Sequence, residues 1–240
     1  MLTISSHQMQ LFNTEIKNRF ATKLTGQLGP EYPEWFQPLP QGLAERIVAG
    51  KINYAEERYK IRYQNALTTY LHYCCAIGPG FDLQPEIQSF LDDSSLYPDD
   101  IPDLLPGRVS DEAWSEAEQQ VRRNAWFYPD SATLTDQVAA RTCWALAELA
   151  EKQSNIKAPS DELSLKMFIL QSMQAAHEHQ IDDAMGMTAF AVCQIILGKD
   201  FYLKQTKSWL TPIFHDPAIL PELRGATLVG CTELEWGIEL

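Results

Sequence analysis

The sequence has few basic residues and none of the short motifs that mark a known chemistry. Its 240 residues include 19 lysines and arginines against 32 aspartates and glutamates, which gives a formal net charge of −13. Nucleic-acid binding is disfavoured, because phosphate contacts need clustered basic side chains. A basic protein partner would be attracted instead, and added salt would weaken that attraction.

Cysteines are also scarce. The chain has five, an odd number, and no Cys-x-x-Cys pair. Most of them lie among apolar neighbours in helical stretches, which is typical of buried free thiols in a reducing compartment. No run of residues approaches the ~20 apolar positions of a membrane span, and the first residues lack the basic and apolar segments of a signal peptide. We therefore expect a cytoplasmic protein that does not contact a membrane.

Strand signals are poor, since period-two alternation is brief and Asn-Gly and Asp-Gly turns are absent. An apolar stripe at helical spacing opens the chain, formed by Met9, Phe12, Ile16, Phe20 and Leu24. This first helix is expected to end at Gly26 or Gly29. Further helices are expected at 43–50, 54–77, 86–91, 111–127, 134–152, 161–178, 181–197 and 203–214. Residues 227–240 are ambiguous between a short strand and an irregular tail. The predicted fold class is all-α.

Two stretches of the chain resemble each other without a gap, IRYQNALTTYLHYCCAIGPGFDL at 61–83 and IDDAMGMTAFAVCQIILGKDFYL at 181–203. The matching pairs are Ile61 and Ile181, Thr68 and Thr188, Tyr70 and Phe190, Gly78 and Gly198, Phe81 and Phe201, and Leu83 and Leu203. The offset of 120 residues is half the chain length. We therefore expect an internal duplication that forms two related helical halves, in a bundle or repeat-like arrangement. The acidic, proline-containing stretch 92–112 marks the boundary between the halves, which are residues 1–105 and 106–240. This division applies whether or not the two halves share one core.

The densest cluster of metal-capable side chains lies at 177–183. His179 and Asp183 are four residues apart, a spacing that puts two ligands on one face of a helix. His177 and His179 are two apart and would point about 200° away from each other on a helix. A polar junction between helices explains the cluster better, so no metal ligand is assigned.

His72 and Cys75 have a spacing that would allow a thiol–imidazole pair. The second copy has Val192 and Ile195 at the matching positions, which favours a core or half-buried histidine. The chain also lacks the Gly-x-Ser-x-Gly, His-Glu-x-x-His and phosphate-binding glycine motifs. We therefore predict no catalytic residue and no cofactor, and a protein that is not an enzyme.

The acidic segment 92–103 lacks the oxygen spacing of a calcium-binding loop. It is interpretable as a solvated loop or as a surface that docks a partner. Aromatic anchors with a charged rim are typical of protein interfaces. The candidate partner-binding residues, each also interpretable as structural, are Trp35, Phe36, Asp92, Asp93, Tyr97, Asp99, Asp100, Trp114, Trp126, Phe127 and Trp236.

The first half also carries a particular order of residues. It opens with Met-Leu-x-Ile and a later Gln-Met, continues as a helix that ends in Arg-Phe, and closes with a long helix that runs into Gly-x-x-Phe-Asp. Those positions are Met1, Leu2, Ile4, Gln8, Met9, Arg19, Phe20, Gly78, Phe81 and Asp82. Over residues 1–105 the pattern resembles a family of small helical proteins encoded in bacterial type VI secretion clusters, beside spike proteins, their adaptors and toxic effectors. The second half keeps Gly198 and Phe201 but has Tyr202 where Asp82 stands, as in a diverged copy.

The resemblance implies a non-enzymatic role in handling a secreted effector and carries over no catalytic residue. We expect an accessory chaperone or adaptor that binds the effector in the producing cell, with the spike protein as a further partner. Two alternatives stay open. One is a cognate immunity protein that neutralises a basic toxin by direct binding, and the other is a helical metal-dependent enzyme.

Overall fold

The computed structural model describes the backbone of residues 6–119, 123–127, 133–153, 156, 159, 161–204 and 206–240. Side chains are described over the same ranges from Thr14 onward, apart from those of residues 123 and 124. These ranges contain helices and loops but no strand, which confirms the predicted all-α class. Of the residues that carry the sequence resemblance, Met1, Leu2 and Ile4 lie outside the described residues, as do the side chains of Gln8 and Met9.

Twelve α-helices and five short 3-10 segments make up the regular structure of the described residues. The helices are α1 (Ser6–Glu31), α2 (Pro33–Phe36), α3 (Gln41–Tyr59), α4 (Gln64–Ala76), α5 (Pro85–Leu91), α6 (Ile101–Leu104), α7 (Asp111–Gln119), α8 (Leu134–Lys152), α9 (Glu162–Glu178), α10 (Ala184–Leu197), α11 (Leu210–His215) and α12 (Pro221–Trp236). The 3-10 segments are Phe81–Leu83, Pro98–Asp100, Leu105–Gly107, Arg123–Phe127 and Phe201–Leu203.

The chain folds as two compact units. Unit 1 ends at Ala132 and unit 2 begins at Thr133, and the short segment Pro38–Pro40 belongs to unit 2. The boundary that composition suggests at 105/106 lies earlier, because the 3-10 segment Arg123–Phe127 packs against α3 of unit 1. The acidic stretch 92–112 is therefore an internal part of unit 1.

Unit 1 is built on α1, α3 and α4, which contact one another. The apolar stripe of α1 supplies Leu24 and Leu28 to the core, and α4 supplies Tyr70 and Leu71, all fully buried. Unit 2 is built on α8, α9, α10 and α12, with α10 in contact with the other three. Helix α10 is apolar on all sides, and its residues from Gly186 to Cys193 are buried without a break, as expected for a central helix.

One helix boundary in unit 1 differs from the sequence prediction. We expected a break near Gly50 and a continuous helix from Tyr54 to Ile77, and both expectations are wrong. Helix α3 continues through Gly50, because a glycine costs a helix only about 1 kcal/mol and the neighbouring Val48 and Ile52 are fully buried. The break falls at Lys60, which has a left-handed backbone with φ of 63°.

The C-terminal region also differs from its prediction. Residues 227–236 belong to the regular helix α12 rather than to a strand or an irregular tail. Pro221 occupies the first turn of α12, where its missing N–H is tolerated, and Gly237 ends the helix with φ of 62°. The helices expected at 111–127 and 203–214 are shorter than predicted, since α7 ends at Gln119 and α11 begins at Leu210.

The two units have several local features at the same spacing of 120 residues. Lys60 and Gln180 both have φ of 63°, and the helices that follow them begin at Gln64 and Ala184. Each of these helices is followed by a glycine with positive φ, as its sequence predicts, and then by a 3-10 turn, at Phe81–Leu83 or Phe201–Leu203.

Helices α10 and α12 approach each other closely at two glycines, Gly186 and Gly225. A Cβ atom built on Gly186 would lie 2.8 Å from the Cα of Gly225 and 2.6 Å from Cγ2 of Ile181. Asp183, which caps α10 by accepting a hydrogen bond from the Gly186 N–H, occupies the remaining space beside Gly225. The crossing of the two helices therefore depends on the missing side chains.

We predict that Gly186→Ala lowers the free energy of unfolding by about 1–3 kcal/mol, the usual cost of overpacking a filled core. Gly230→Ala is the matched control on α12, because a Cβ atom there meets nothing within 4 Å. It should stabilise the protein by about 0.5–1 kcal/mol, since alanine is the better helix former. Denaturant unfolding followed by circular dichroism measures both, and equal stability of the two variants would contradict the close crossing.

Candidate functional site: a buried charge pair and an open helix face

Three of the aromatic residues that the sequence offers as partner anchors are buried together in unit 1. Trp126 meets Trp35 and Phe36 edge to face, with ring centroids 5.7 and 6.0 Å apart. The indole N–H of Trp35 donates to the main-chain oxygen of Cys75 at 3.0 Å. Phe127 is also buried. In this arrangement the four aromatic side chains fill the core of unit 1 rather than face a partner.

The other aromatic candidates are only partly covered. Trp114 stacks on Tyr73 with a centroid distance of 5.4 Å, and Trp236 meets Trp209 at 6.1 Å. Tyr97 is the most exposed of the group, and its hydroxyl lies 3.3 Å from that of Tyr63, which is exposed as well. Trp114 and Tyr97 belong to unit 1, whereas Trp236 belongs to unit 2.

The acidic candidates of unit 1 mostly have partners within the unit. Asp92 forms a two-pronged ion pair with Arg58. Asp99 is buried and accepts hydrogen bonds from the main-chain N–H groups of Arg62 and Tyr63, where the chain turns from α3 into α4. Asp93 accepts two hydrogen bonds from Ser95, which lower the pKa of Asp93. Asp100 is exposed.

Unit 1 contains a buried pair of opposite charges, Lys51 on α3 and Asp82 in the 3-10 turn Phe81–Leu83. Each side chain is about 1% exposed, and Lys51 Nζ lies 3.9 Å from Asp82 Oδ1, a charge contact without a hydrogen bond. Lys51 donates instead to the main-chain oxygens of Pro79 at 2.8 Å and Ala125 at 3.3 Å. Its ammonium also lies 4.7 Å from the ring centre of Tyr54.

Two tyrosines complete the cluster around Asp82. The hydroxyls of Tyr59 and Tyr70 donate to Asp82 Oδ2 at 3.0 and 2.8 Å. Burial, and then the charge of Asp82, raise the pKa of both hydroxyls, so both stay protonated and act as donors. Buried charges of this kind are stable only when compensated. The cluster is enclosed, which suits a structural role.

Unit 2 has different residues at the positions 120 further along. Gln171 and Tyr202 stand where Lys51 and Asp82 stand, and His179 and Phe190 replace the two tyrosines. The His179 ring lies 4.3 Å from the Tyr202 ring and 6.0 Å from the Phe190 ring. Aromatic packing therefore takes the place of the charge cluster.

The histidine-rich stretch of unit 2 does not gather on one helix face. His179 lies just after the end of α9, whereas Asp183 precedes α10 and caps it. His177 pairs with Asp182 at the surface. Within the described residues, no group of three or more histidine, cysteine, aspartate and glutamate side chains is placed to hold a metal ion.

The histidine and cysteine considered as a nucleophilic pair in unit 1 face different partners. His72 Nδ1 lies 3.4 Å from the hydroxyl of Tyr32 and 3.6 Å from a carboxylate oxygen of Glu31. Cys75 is buried, and its burial raises the pKa of the thiol. A thiol in that setting stays protonated and unreactive.

Helix α9 of unit 2 presents an apolar face to solvent. Leu163 is 71% and Met167 50% exposed, whereas Leu43 and Ile47, at the corresponding positions of α3, are 1% and 2% exposed. Beside this face lies a groove of about 630 Å³ formed by α9, the end of α10 and the turn that follows it. Its lining includes Met167, Leu170, Gln171, Glu178, Asp200 and Tyr202, and we call it the α9 groove.

Sequence reasoning missed the α9 groove. The signal was present, because Leu163 and Met167 align with Leu43 and Ile47 when the matched stretch 181–203 is extended towards the N-terminus at the same offset. An apolar pair at helical spacing is, however, the pattern of a buried face as much as of an exposed one.

Comparison with protein-family models, with curated proteins and with solved structures finds nothing similar to the chain. Within the described part of the chain, no helix is both long and apolar enough to cross a membrane. The case for a function therefore depends on the residues of the two units themselves.

We predict that Asp82→Asn lowers the free energy of unfolding by about 3–5 kcal/mol, because it leaves the ammonium of Lys51 buried without its opposite charge. Asp92→Asn is the matched control in the same unit, since the exposed Arg58–Asp92 pair should contribute no more than about 1 kcal/mol. The double variant Lys51→Met with Asp82→Asn should lose less than the sum of its single changes. Denaturant unfolding measures the three single variants, with Lys51→Met as the third, and the double variant, and additive losses would contradict the coupling.

Two histidines of unit 2 should affect the pH dependence of stability in opposite directions. Burial lowers the pKa of His179, although Glu178 partly opposes this, whereas the hydrogen bond to Asp182 raises the pKa of His177. A histidine in the unfolded chain has a pKa near 6.5. His179 therefore destabilises the fold as the pH falls below about 6.5. The contribution of His177 is complete below about 6.5 and is lost as the pH rises through its raised pKa.

We expect His179→Phe to reduce the loss of unfolding free energy between about pH 7.5 and pH 5.5, and His177→Gln to increase it. Urea titrations at both pH values measure the change for each variant and for the unaltered chain. The same pH dependence in all three proteins would refute the assignment.

Proposed function

We propose that the chain is a non-enzymatic accessory protein of a type VI secretion module, which binds a secreted effector in the cytoplasm of the producing cell as a chaperone or adaptor. The observation that supports this best is the exposed apolar face of α9 with its adjoining groove. Contiguous apolar surface beside polar residues is typical of protein interaction sites. The resemblance of residues 1–105 to proteins encoded beside effectors and spike proteins supplies the kind of partner.

We also propose that the two units descend from an internal duplication. The shared positive φ values at Lys60 and Gln180, and the 3-10 turns at Phe81–Leu83 and Phe201–Leu203, support this. The proposal also gives a reason for the open face of α9. Under the duplication, Leu163 and Met167 keep the apolar character of Leu43 and Ile47, and because they are exposed they offer an apolar surface that a partner can use.

An immunity protein is the second candidate. The observation that favours it is the acidic character of the chain, with a net charge of −13 and the carboxylates of Glu178 and Asp200 at the α9 groove. Such a surface suits a basic toxin. Both functions require direct binding of the effector, and they differ in what binding does to its activity.

We predict that the tagged full-length protein co-purifies with the effector-like product of the neighbouring gene as a stable complex. Toxicity is measured by expressing the effector together with the chain in a sensitive strain. The chaperone or adaptor role is supported if the effector remains toxic and the spike protein joins the complex. Toxicity abolished at an equimolar ratio would support immunity instead. Absence of any complex with the effector or the spike protein would contradict both functions.

A further inference from the structure

In unit 1, a short segment of the chain packs against α3 at Lys51, whose counterpart 120 positions later is Gln171 of the α9 groove. This segment is Arg123–Phe127, a single 3-10 turn. Lys51 of α3 donates to the main-chain oxygen of Ala125 at 3.3 Å, and Trp126 is 1% exposed. A Cβ atom on Gly80 would lie 3.1 Å from that of Ala125, so the segment rests directly on the loop between α4 and Phe81–Leu83.

In unit 2, the corresponding positions surround the α9 groove. Gln171 and Asp200 stand 120 residues after Lys51 and Gly80, and both line the groove. In the described part of unit 2, the side chains of Met167 and Leu170 remain half exposed there. The described residues of unit 2 thus leave open the positions that correspond to Lys51 and Gly80, which the segment Arg123–Phe127 meets in unit 1.

We propose that the α9 groove binds a short segment of the effector protein that carries an aromatic side chain close to a basic one, in the place that Arg123–Phe127 takes in unit 1. This inference rests on the proposed function, because it identifies the part of the chain that receives the effector.

The apolar part of the groove fits an aromatic side chain. Met167, Leu170 and Tyr202 line it, and methionine sulfur and tyrosine rings both make favourable contacts with aromatic groups. Its volume of about 630 Å³ lies within the range of pockets that enclose a ligand of several hundred daltons. Covering these side chains would remove their apolar surface from water.

The polar part of the groove supplies hydrogen bonds and charge. Lys51 of unit 1 donates a hydrogen bond to a main-chain oxygen of the covering segment. Its counterpart in the groove is Gln171, whose side-chain amide has no hydrogen-bond partner within the described residues. Glu178 and Asp200 form no ion pair with a described cation, and the lining carries one lysine, Lys199. The excess of carboxylates favours a basic residue in the occupant.

The segment in unit 1 has this chemistry in its own sequence, since Arg122 and Arg123 precede Trp126 and Phe127.

A peptide with the sequence of residues 120–130, labelled with a fluorophore, is the defined probe. Fluorescence anisotropy with the full-length protein should give a dissociation constant between about 10 μM and 1 mM, the range of a short peptide with one anchor. Met167→Glu should weaken binding at least about tenfold. Leu234→Glu is the matched control, because Leu234 is an exposed leucine on α12 of the same unit that does not line the groove. It should leave binding unchanged.

A second peptide, with alanine in place of both Trp126 and Phe127, tests the aromatic requirement, and a third, with serine in place of both Arg122 and Arg123, tests the charge. Each should bind more weakly than the first. Circular dichroism of the two protein variants checks that they remain folded. The inference is overturned if the first peptide does not bind at about 1 mM, if Met167→Glu binds it as well as Leu234→Glu does, or if the alanine peptide binds as tightly as the first.

The same variants separate this inference from the proposed function. If the effector co-purifies with Leu234→Glu but not with Met167→Glu, the groove is its binding site. If it co-purifies equally with both, the groove inference fails and the proposed function stands. If the peptide binds the groove but no effector complex forms with the unaltered chain, the proposed function fails and the groove remains a peptide site without that partner.

Discussion

The need to compensate two buried charges determines how unit 1 is assembled. Lys51 and Asp82 are almost inaccessible to solvent, and a charge in that position is tolerated only when other groups replace the water it has lost. The replacing groups come from separate parts of the chain: hydroxyls of α3 and α4, and main-chain oxygens of Pro79 and Ala125. Helices α3 and α4, the turn at Phe81–Leu83 and the segment Arg123–Phe127 must therefore meet in one arrangement. Apolar packing alone would tolerate several alternatives, so we expect the charge pair to add specificity to a core that is mostly apolar.

In unit 2, the positions 120 residues further along do not carry that constraint. His179, Phe190 and Tyr202 pack as rings where unit 1 has a charge and its hydrogen-bond donors. Because Gln171 replaces Lys51, no buried ammonium requires a carbonyl from a covering segment. The hydrogen bond from a buried ammonium, which holds the segment Arg123–Phe127 on α3, thus has no equivalent at α9. Leu163 and Met167 are exposed, whereas Leu43 and Ile47, 120 positions earlier, are buried.

The sequence predicted those parts of the fold that depend on local pattern. The all-α class and the glycines of positive φ at 78 and 198 follow from helical spacing and from the backbone freedom of glycine. It failed at Lys60, where a left-handed residue other than glycine ends a helix. That turn is stabilised by the distant carboxylate of Asp99, which accepts the N–H groups of Arg62 and Tyr63. A contact between residues so far apart in the chain leaves no local signal. The same is true of the charge pair, whose members are 31 positions apart in a sequence with 19 lysines and arginines and 32 aspartates and glutamates.

The candidate site was hard to predict because composition does not distinguish residues that hold a fold together from residues that meet a partner. Tryptophans and aspartates are common at interfaces, yet Trp35 and Trp126 fill the core of unit 1, and Asp92 and Asp99 have partners within it. The charges of Asp92 and Asp99 still contribute to the net charge of −13, which would attract a basic protein from a distance. Recognition at contact requires surface that the fold itself does not use. The α9 groove meets that requirement, because its apolar side chains are exposed and its carboxylates have no cation of their own among the described residues. In the proposed function, long-range attraction and short-range recognition are thus assigned to different residues of one chain, and only the second depends on the side chains that α9 leaves exposed.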